Sequence, residues 1–174
     1  LDMNTNAPAW PKQSQQLTTV TDLTSQSKIH PLGEVRNLNA TFDESEKNEF
    51  VDMEITNKIK NACCKIISAE AELTQLDSVV GDGDCGLTMK KGATAILENI
   101  DNLSTKFPID LMGELSYIIG KSMGGSSGAL LEIMLNAAAT SFKEDYDSNE
   151  IINWRKGLMA GVNAASFYGG AKKG

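Results

Sequence analysis

The chain has 174 residues and a net charge of −7, and no apolar run approaches the ~20 residues of a membrane span. This length suits one domain of ordinary size with a tail or linker attached. Affinity for nucleic acid comes largely from Lys and Arg, so the acidic balance argues against such a partner. The hydrophobic content of 41% includes only 6% aromatic residues, which favours closely packed helices with an aliphatic core.

The cysteine and histidine content argues against several kinds of site. Cys63, Cys64 and Cys85 form no Cys-x-x-Cys pair, and His30 is the single histidine. We therefore expect neither a zinc site nor a Ser-His-Asp triad. An odd number of thiols suits a reducing compartment better than a disulfide framework. Because the start of the chain also lacks a signal-peptide pattern, the sequence predicts a cytoplasmic protein without a membrane segment.

The predicted elements are helical throughout. Residues 1 to about 40 are rich in proline and small polar residues and predict a linker. An acidic start at 43–46, followed by apolar residues at helical spacing, predicts a long first helix over 44–75. Strand-like alternation is nearly absent, so we predict an all-α bundle or barrel. Four further helices are predicted over 87–100, 109–121, 126–142 and 150–167.

The fourth predicted helix has the most apolar surface. From Ala129 to Ala139 it is apolar on most of its circumference, which is typical of a helix buried among others. Its run of alanines would let neighbouring helices approach closely. The sequence therefore predicts that this helix is buried among the others.

An acidic loop follows the first predicted helix. Asp77, Asp82 and Asp84 place three carboxylates within eight residues, and Gly81 and Gly83 make a continuous helix costly by roughly 1 kcal/mol each relative to Ala. Carboxylates that converge repel one another unless a cation lies between them, and oxygen ligands suit Mg²⁺ or Ca²⁺. The pattern favours a metal site, while a solvated turn is the alternative.

Three neighbouring features of this loop are less informative. An EF-hand needs a bidentate Glu at its twelfth position, but counting from Asp77 reaches Thr88, so that register fails. Lys90 and Lys91 could reach a phosphate, although a solvated helix face is the commoner role. The carboxylates around Cys85 disfavour a thiolate, so we expect its backbone N–H to be the useful group.

A second glycine-rich motif, Gly-Gly-Ser-Ser-Gly at 124–128, precedes the fourth predicted helix. Accessible N–H groups and the helix dipole at such a start attract an anion such as phosphate. The motif is neither a Walker A loop, because no Gly-Lys-Ser/Thr follows, nor a Gly-x-Gly-x-x-Gly turn after a strand. A helix N-cap followed by tight packing is the alternative.

Together the two motifs closely resemble the nucleotide-binding domain of dihydroxyacetone kinases. The matching stretches are Leu-Asp-Ser-Val-Val-Gly-Asp-Gly-Asp-Cys-Gly-Leu-Thr at 76–88 and Gly-Gly-Ser-Ser-Gly-Ala-Leu at 124–130, in the same order and separation. Phe-Tyr-Gly-Gly-Ala-Lys-Lys-Gly at 167–174 resembles the family's glycine-rich turn near the adenine. Asn-Ala-Pro-Ala-Trp-Pro at 6–11 resembles the end of the substrate-binding domain in single-chain, eukaryote-type members.

This resemblance implies a division of the chain. Residues 1–12 would end a substrate-binding domain, 13–42 would be a linker, and 43–174 would be an ATP-binding domain that is incomplete at its C-terminus. We therefore expect a fragment of the family's antiparallel barrel of eight α-helices. Because a barrel without its last helices exposes apolar faces, we predict weak stability or aggregation.

The resemblance also implies a set of site residues that binds ATP through two Mg²⁺ ions. The implied metal ligands are Asp77, Asp82 and Asp84. The implied phosphate contacts are Cys85, Gly86, Leu87, Thr88, Ser126 and Ser127, and the residues implied to border the adenine are Leu130 and Gly169. No catalytic side chain is implied, since phosphoryl transfer depends mainly on positioning and charge neutralisation.

The implied activity is that of an ATP-dependent glycerone kinase acting on dihydroxyacetone or glyceraldehyde. Family members hold dihydroxyacetone on a histidine of another domain, and His30 lies in the predicted linker. We therefore expect a separate substrate-binding domain, a homodimer in the full-length protein, and no activity from this chain alone.

Other functions stay open at this point. Relatives of this domain also serve as nucleotide-binding regulatory or phosphoryl-relay modules, and some relatives cyclise flavin nucleotides with Mn²⁺. A fatty-acid-binding barrel is a third reading. The Pro-x-x-Asp-Gly-Asp-Thr-Gly pattern of fatty-acid kinases, however, fits Val79, Val80 and Cys85 poorly.

Overall fold

A computed structural model describes residues 49–147 and 151–170. Every regular element in these two ranges is a helix, which confirms the all-α prediction. The predicted domain end at 1–12, the linker at 13–42 and the acidic start at 43–46 lie outside the described residues. The elements are α1 (Met53–Ser68), α2 (Glu70–Asp77), α3 (Cys85–Asn99), a 3₁₀ turn (Ile100–Asn102), α4 (Pro108–Ser122), α5 (Gly125–Asp147) and α6 (Trp154–Gly169).

The prediction of one long helix over 44–75 is wrong. Asp52 begins α1, because its Oδ1 accepts hydrogen bonds from the N–H groups of Glu54 at 2.9 Å and Ile55 at 3.1 Å. At the other end, the N–H of Ala69 is shared between the carbonyl oxygens of Lys65 and Ile66. Such a shared bond is common at a helix terminus, and α2 begins at the next residue. The apolar spacing stays nearly in phase across the break, so periodicity alone did not reveal it.

The other predicted helices are confirmed with shifted ends. Helix α3 begins two residues earlier than predicted, so Cys85 is its first residue and not part of the preceding loop. Helix α4 begins with Pro108, which suits the first turn because a helix N-terminus does not use that N–H. Helix α5 runs five residues further than predicted. Helix α6 begins later, where Asn153 Oδ1 accepts a bond from the Lys156 N–H at 3.1 Å.

The core lies where α3, the 3₁₀ turn and α4 meet. Its buried members are Ile100, Leu103, Leu111 and Ile118, and Ile55 is one of the residues of α1 that pack against them. The members of this cluster are aliphatic, as the low aromatic content predicted, while the aromatic ring of Phe142 is buried between α5 and α6. Among the described helices, none combines the length and hydropathy required to cross a bilayer.

Helices α5 and α6 pack as an antiparallel pair through glycine. A Cβ added at Gly157 would collide with the ring of Phe142, and one added at Gly161 would lie 2.7 Å from the Met134 carbonyl oxygen. The missing side chains let the helix backbones approach closely. Gly161 is four residues after Gly157, so both glycines face α5.

The prediction that α5 is buried on most sides is wrong for the described residues. Between 129 and 139 only Ala138 and Ala139 are buried, and the rest are half-buried or exposed. Helices α4 and α6 are the main neighbours of α5, so they cover only part of its circumference. Helix α6 also carries exposed apolar side chains, Leu158 and Val162, whereas the ring of Trp154 packs edge-on against Phe142 of α5.

Candidate metal and phosphate site

The acidic loop begins with a tight turn at the end of α2. The carbonyl oxygen of Asp77 accepts hydrogen bonds from the N–H groups of Val80 at 3.0 Å and Gly81 at 2.6 Å. Gly83 has a φ of +75°, and a Cβ there would lie 2.6 Å from Ser78 Oγ. The backbone conformation therefore favours glycine at position 83, and an added Cβ would also displace the Ser78 hydroxyl.

The Asp77 side chain is held in place from two directions. Its Oδ2 accepts a hydrogen bond from the Cys85 N–H at 3.2 Å, and its Oδ1 lies against the Cα of Gly81, where a Cβ would collide with it. Cys85 is the first residue of α3, so the carboxylate at the end of α2 satisfies one of the orphan N–H groups of the next helix. This bond brings the two helix ends together.

The three predicted ligands converge in the structure. One carboxylate oxygen each from Asp77, Asp82 and Asp84 lies within 4.8 Å of the others. Asp84 occupies the N-cap position of α3, yet its side chain makes no capping bond. Asp77 is half-buried, while the other two are exposed.

This donor set fits a small divalent cation. Oxygen atoms bound to one Mg²⁺ at about 2.1 Å are separated by about 3 to 4 Å, so a small inward movement of oxygens that lie within 4.8 Å of one another would let them share an ion. Carboxylate oxygens are also the hard ligands that Mg²⁺ prefers, and the exposed side of the cluster leaves room for water or phosphate oxygens. The three residues therefore suit a magnesium ion that shares its coordination with a ligand.

The predicted phosphate contacts at 85–88 form the first turn of α3. Two of their N–H groups already have partners, since Cys85 donates to Asp77 and Thr88 donates to the Asp84 carbonyl oxygen at 3.0 Å. In this arrangement Thr88 could offer a ligand its hydroxyl but not its N–H. The backbone N–H groups of Gly86 and Leu87 are still predicted to donate hydrogen bonds to phosphate. Gly86 is buried and Leu87 is exposed.

The second motif forms the start of α5. Gly124 and Gly125 both have positive φ angles, of 68° and 64°, and α5 begins at Gly125. Ser126 and Ser127 therefore lie in the first turn of the helix, as the predicted range 126–142 implied, and both are exposed. An anion site at this helix start, with the two exposed hydroxyls as further donors, stays a prediction.

Met123 connects the second motif to α3. A Cβ at Gly92 would lie 2.5 Å from Met123 Cγ, and one at Gly128 would lie 3.0 Å from Met123 Cβ. Gly92 is seven residues after Cys85, which corresponds to about 10 Å along α3. The start of α5 is therefore packed beside α3, about two turns from the acidic cluster.

Leu130 and Gly169, the two residues predicted to border the adenine, lie in contact. A Cβ at Gly169 would be 3.1 Å from Leu130 Cδ2. Gly169 ends α6, and Gly170 follows in the left-handed conformation that commonly terminates helices. Leu130 is one turn after Ser126 on α5, so these residues share one region of the surface. Residues 171–174 of the predicted glycine-rich turn lie outside the described part of the chain.

The structure gives Lys90 a partner that the sequence did not reveal. Its Nζ lies 2.9 Å from Oε2 of Glu70, the first residue of α2. The two residues are twenty positions apart, so no local spacing rule could have paired them. Lys91 is exposed.

Comparison with known proteins identifies the family. The profile of the DAK2 domain matches residues 79–174, which is more than half of the chain. The chain therefore belongs to the DAK2 domain family. The profile covers the acidic loop from Val79, the motif at 124–128 and the turn after α6.

Two curated relatives align over the whole chain. A putative 3,4-dihydroxy-2-butanone kinase from Solanum lycopersicum is 32% identical over 176 residues, and a triokinase/FMN cyclase from Bos taurus is 30% identical over 175. The chain spans 29% and 28% of the length of these two proteins. The dihydroxyacetone kinase of C. freundii, solved with AMP-PNP and Mg²⁺, has a similar fold with a TM-score of 0.65 and 22% identity. That match covers 94% of this chain and 26% of the solved one.

Proposed function

We propose that this chain provides the Mg-ATP-binding part of a kinase that phosphorylates dihydroxyacetone or glyceraldehyde. The observation that carries the proposal is the convergence of the carboxylate oxygens of Asp77, Asp82 and Asp84 at the start of α3. Two further findings support it. The two curated relatives are named a putative 3,4-dihydroxy-2-butanone kinase and a triokinase/FMN cyclase, and the similar C. freundii enzyme was solved with AMP-PNP and Mg²⁺.

In this proposal the three aspartates hold two Mg²⁺ ions together with the phosphates of ATP. When bound, the ions neutralise the charge that develops on the transferred phosphoryl group. The phosphates are oriented by hydrogen bonds from the hydroxyls of Ser126 and Ser127. The first turns of α3 and α5 add N–H donors and the helix dipoles. Leu130 and Gly169 supply the apolar contact beside the adenine.

No side chain of this chain acts as a nucleophile or general base in the proposal. Positioning and charge neutralisation are the main demands of phosphoryl transfer, and carboxylates with bound metal and N–H donors meet them. The substrate would be held by a separate domain, in a homodimer of the longer protein. We therefore expect nucleotide binding, but not turnover, from the 174 residues alone.

Calorimetric titration of the chain with Mg-ADP tests the proposal. We expect affinity in the micromolar range, and its loss when Asp82→Ala and Asp84→Ala are combined. A matched control combines Glu98→Ala with Glu144→Ala, because it removes two exposed carboxylates elsewhere on the surface. Equal binding by all three proteins, or no binding by a folded parent chain, would refute the proposed site.

A further inference from the structure

We propose that α2 acts as a positioning element, which holds Asp77 at the metal site through its contacts with Gly86 and Lys90 of α3. The inference rests on the proposed function, because it concerns the same carboxylate cluster. It assigns roles to Glu70 and Thr74, which lie outside the acidic loop. It also explains how the half-buried carboxylate of Asp77 is held beside the exposed carboxylates of Asp82 and Asp84.

The first contact is a close approach of the two helix backbones. Gly86 is buried, and a Cβ there would collide with the carbonyl oxygen of Glu70 and with Thr74 Oγ1, and would lie 2.9 Å from the Thr74 backbone nitrogen. Two of these three atoms belong to the α2 backbone, so they cannot rotate away as a flexible side chain could. Any side chain at position 86 must therefore push α2 away from α3.

That separation determines where Asp77 lies. Asp77 is the last residue of α2, three residues after Thr74, while Asp84 directly precedes α3. The Asp77 carboxylate reaches α3 through a bond to Cys85, the neighbour of Gly86. The cluster oxygens lie within 4.8 Å of one another, whereas two oxygens on one Mg²⁺ are at most about 4.2 Å apart, so the cluster has no spare distance. A small opening between the helices would take Asp77 out of reach of a shared ion.

The second contact is the ion pair between Lys90 and Glu70. Lys90 is four residues after Gly86, so it lies one turn along the same face of α3. Its Nζ is 2.9 Å from Glu70 Oε2, and the side chains are 43% and 34% exposed. A pair with this exposure contributes little in water. We therefore expect Gly86 to have the larger effect on metal affinity and Lys90 a smaller one in the same direction.

The contact at Gly86 is tested by Gly86→Ala, with Mn²⁺ binding to the 174-residue chain measured by electron paramagnetic resonance. We expect the Mn²⁺ affinity to fall about 10- to 100-fold, as for other residues that orient metal ligands. Gly113→Ala is the matched control. Gly113 also lies inside a helix and is buried, but a Cβ there meets no atom within 4 Å. Its Mn²⁺ affinity should equal that of the parent chain.

The outcomes separate the two proposals. If the parent chain binds no Mn²⁺, the proposed metal site fails and this inference fails with it. If the parent binds Mn²⁺ and Gly86→Ala binds it equally well, only the positioning role is overturned. Circular dichroism of each variant shows whether the helices have formed, and should Gly86→Ala not fold, the ion-pair variants decide the question.

The ion-pair variants Glu70→Gln and Lys90→Gln should each weaken Mn²⁺ binding about two- to five-fold, the range of a partly exposed pair. The exchange of charges in Glu70→Lys with Lys90→Glu should restore most of this loss, which a merely structural disturbance would not do. Lys91→Gln, at an exposed neighbouring position, is the control.

A direct contact of Lys90 with phosphate would give a different pattern. Lys90→Gln would then weaken Mg-ADP binding but leave Mn²⁺ binding unchanged, and Glu70→Gln would weaken neither. That result would overturn the role of the ion pair. Equal Mn²⁺ affinity in all these variants would also do so.

Discussion

The carboxylate of Asp77 accepts a hydrogen bond from the backbone N–H of Cys85 at 3.2 Å, across eight residues of chain. The bond joins the last residue of α2 to the first residue of α3. One side chain therefore has two tasks, since it satisfies a helix N-terminus and also contributes a carboxylate oxygen to the cluster. These two tasks can be separated by substitution.

We expect Asp77→Asn to keep the hydrogen bond from Cys85, because the amide oxygen is also an acceptor. It should lose most of the Mn²⁺ affinity, since a carboxylate is removed from the cluster. Asp77→Ala should lose both, and should lower the free energy of unfolding by about 1 kcal/mol, as other lost N-terminal caps do. Urea denaturation and Mn²⁺ titration of both variants provide the measurements. Equal stability of Asp77→Ala and Asp77→Asn would argue against the capping role.

Met123 offers a test of the packing between α3 and α5. It is buried between Gly92 and Gly128, so we expect Met123→Ala to leave a cavity and lower the free energy of unfolding by about 2–5 kcal/mol. Met159→Ala on the exposed face of α6 is the control, and it should change stability by less than about 0.5 kcal/mol. Urea denaturation measures both. Similar values for the two variants would contradict the packing role of Met123.

The glycines of α6 differ from Gly113 in the space around them. Gly157→Ala should destabilise the protein by about 1–3 kcal/mol, because its methyl group collides with the Phe142 ring. Gly113→Ala should be neutral or stabilising by up to about 1 kcal/mol, since it gains helix propensity without a collision. Thermal denaturation followed by circular dichroism compares the two. A stabilising Gly157→Ala would show that α5 and α6 are not in close contact.

The interactions of Asp145 predict how the free energy of unfolding depends on pH. The Lys156 side chain and the Asn153 N–H both bind its carboxylate, and together they hold the pKa of Asp145 below its ordinary value. A depressed pKa means that the folded state binds the proton more weakly than the unfolded state does. The stabilisation is therefore complete above the ordinary pKa of about 4 and is lost as the pH falls through the folded pKa.

Comparison of Asp145→Asn with the parent chain measures this effect. The free energy of unfolding of the parent should decrease more steeply below about pH 4 than that of the variant, which cannot titrate at this position. Asp147→Asn is the control, because Asp147 is exposed two residues away. It should retain the acid dependence of the parent. If the free energy of unfolding of all three proteins changed with pH in parallel, Asp145 would not be the cause of the acid dependence.

The exposed apolar face of α6 predicts self-association. Leu158 and Val162 lie one turn apart and are 56% and 44% exposed. Contiguous apolar surface of this kind favours association or aggregation. We expect Leu158→Glu with Val162→Glu to increase the monomer fraction of the 174-residue chain in sedimentation experiments. A parent chain that is already monomeric and melts cooperatively would contradict this prediction and the weak stability expected from the sequence.

Local chemistry made much of this protein predictable. Helical spacing of apolar residues predicted five helices, and four were confirmed with shifted ends. The glycines at 81 and 83 predicted the interruption between α2 and α3, because a helix tolerates glycine poorly. The break at Ala69 was missed, since it contains neither glycine nor proline and barely changes the apolar phase.

The sequence by itself determined the all-α class, the family and the three aspartates that share a loop, because these depend on residue type and short spacing. Only the tertiary structure decided which distant groups meet. Three contacts illustrate this, each between residues at least five positions apart. Lys90 pairs with Glu70, Met123 lies between two glycines, and Leu130 contacts Gly169. Such contacts follow from how the helices pack against one another. No local pattern encodes that packing, because side chains with the same periodicity can pack in several registers.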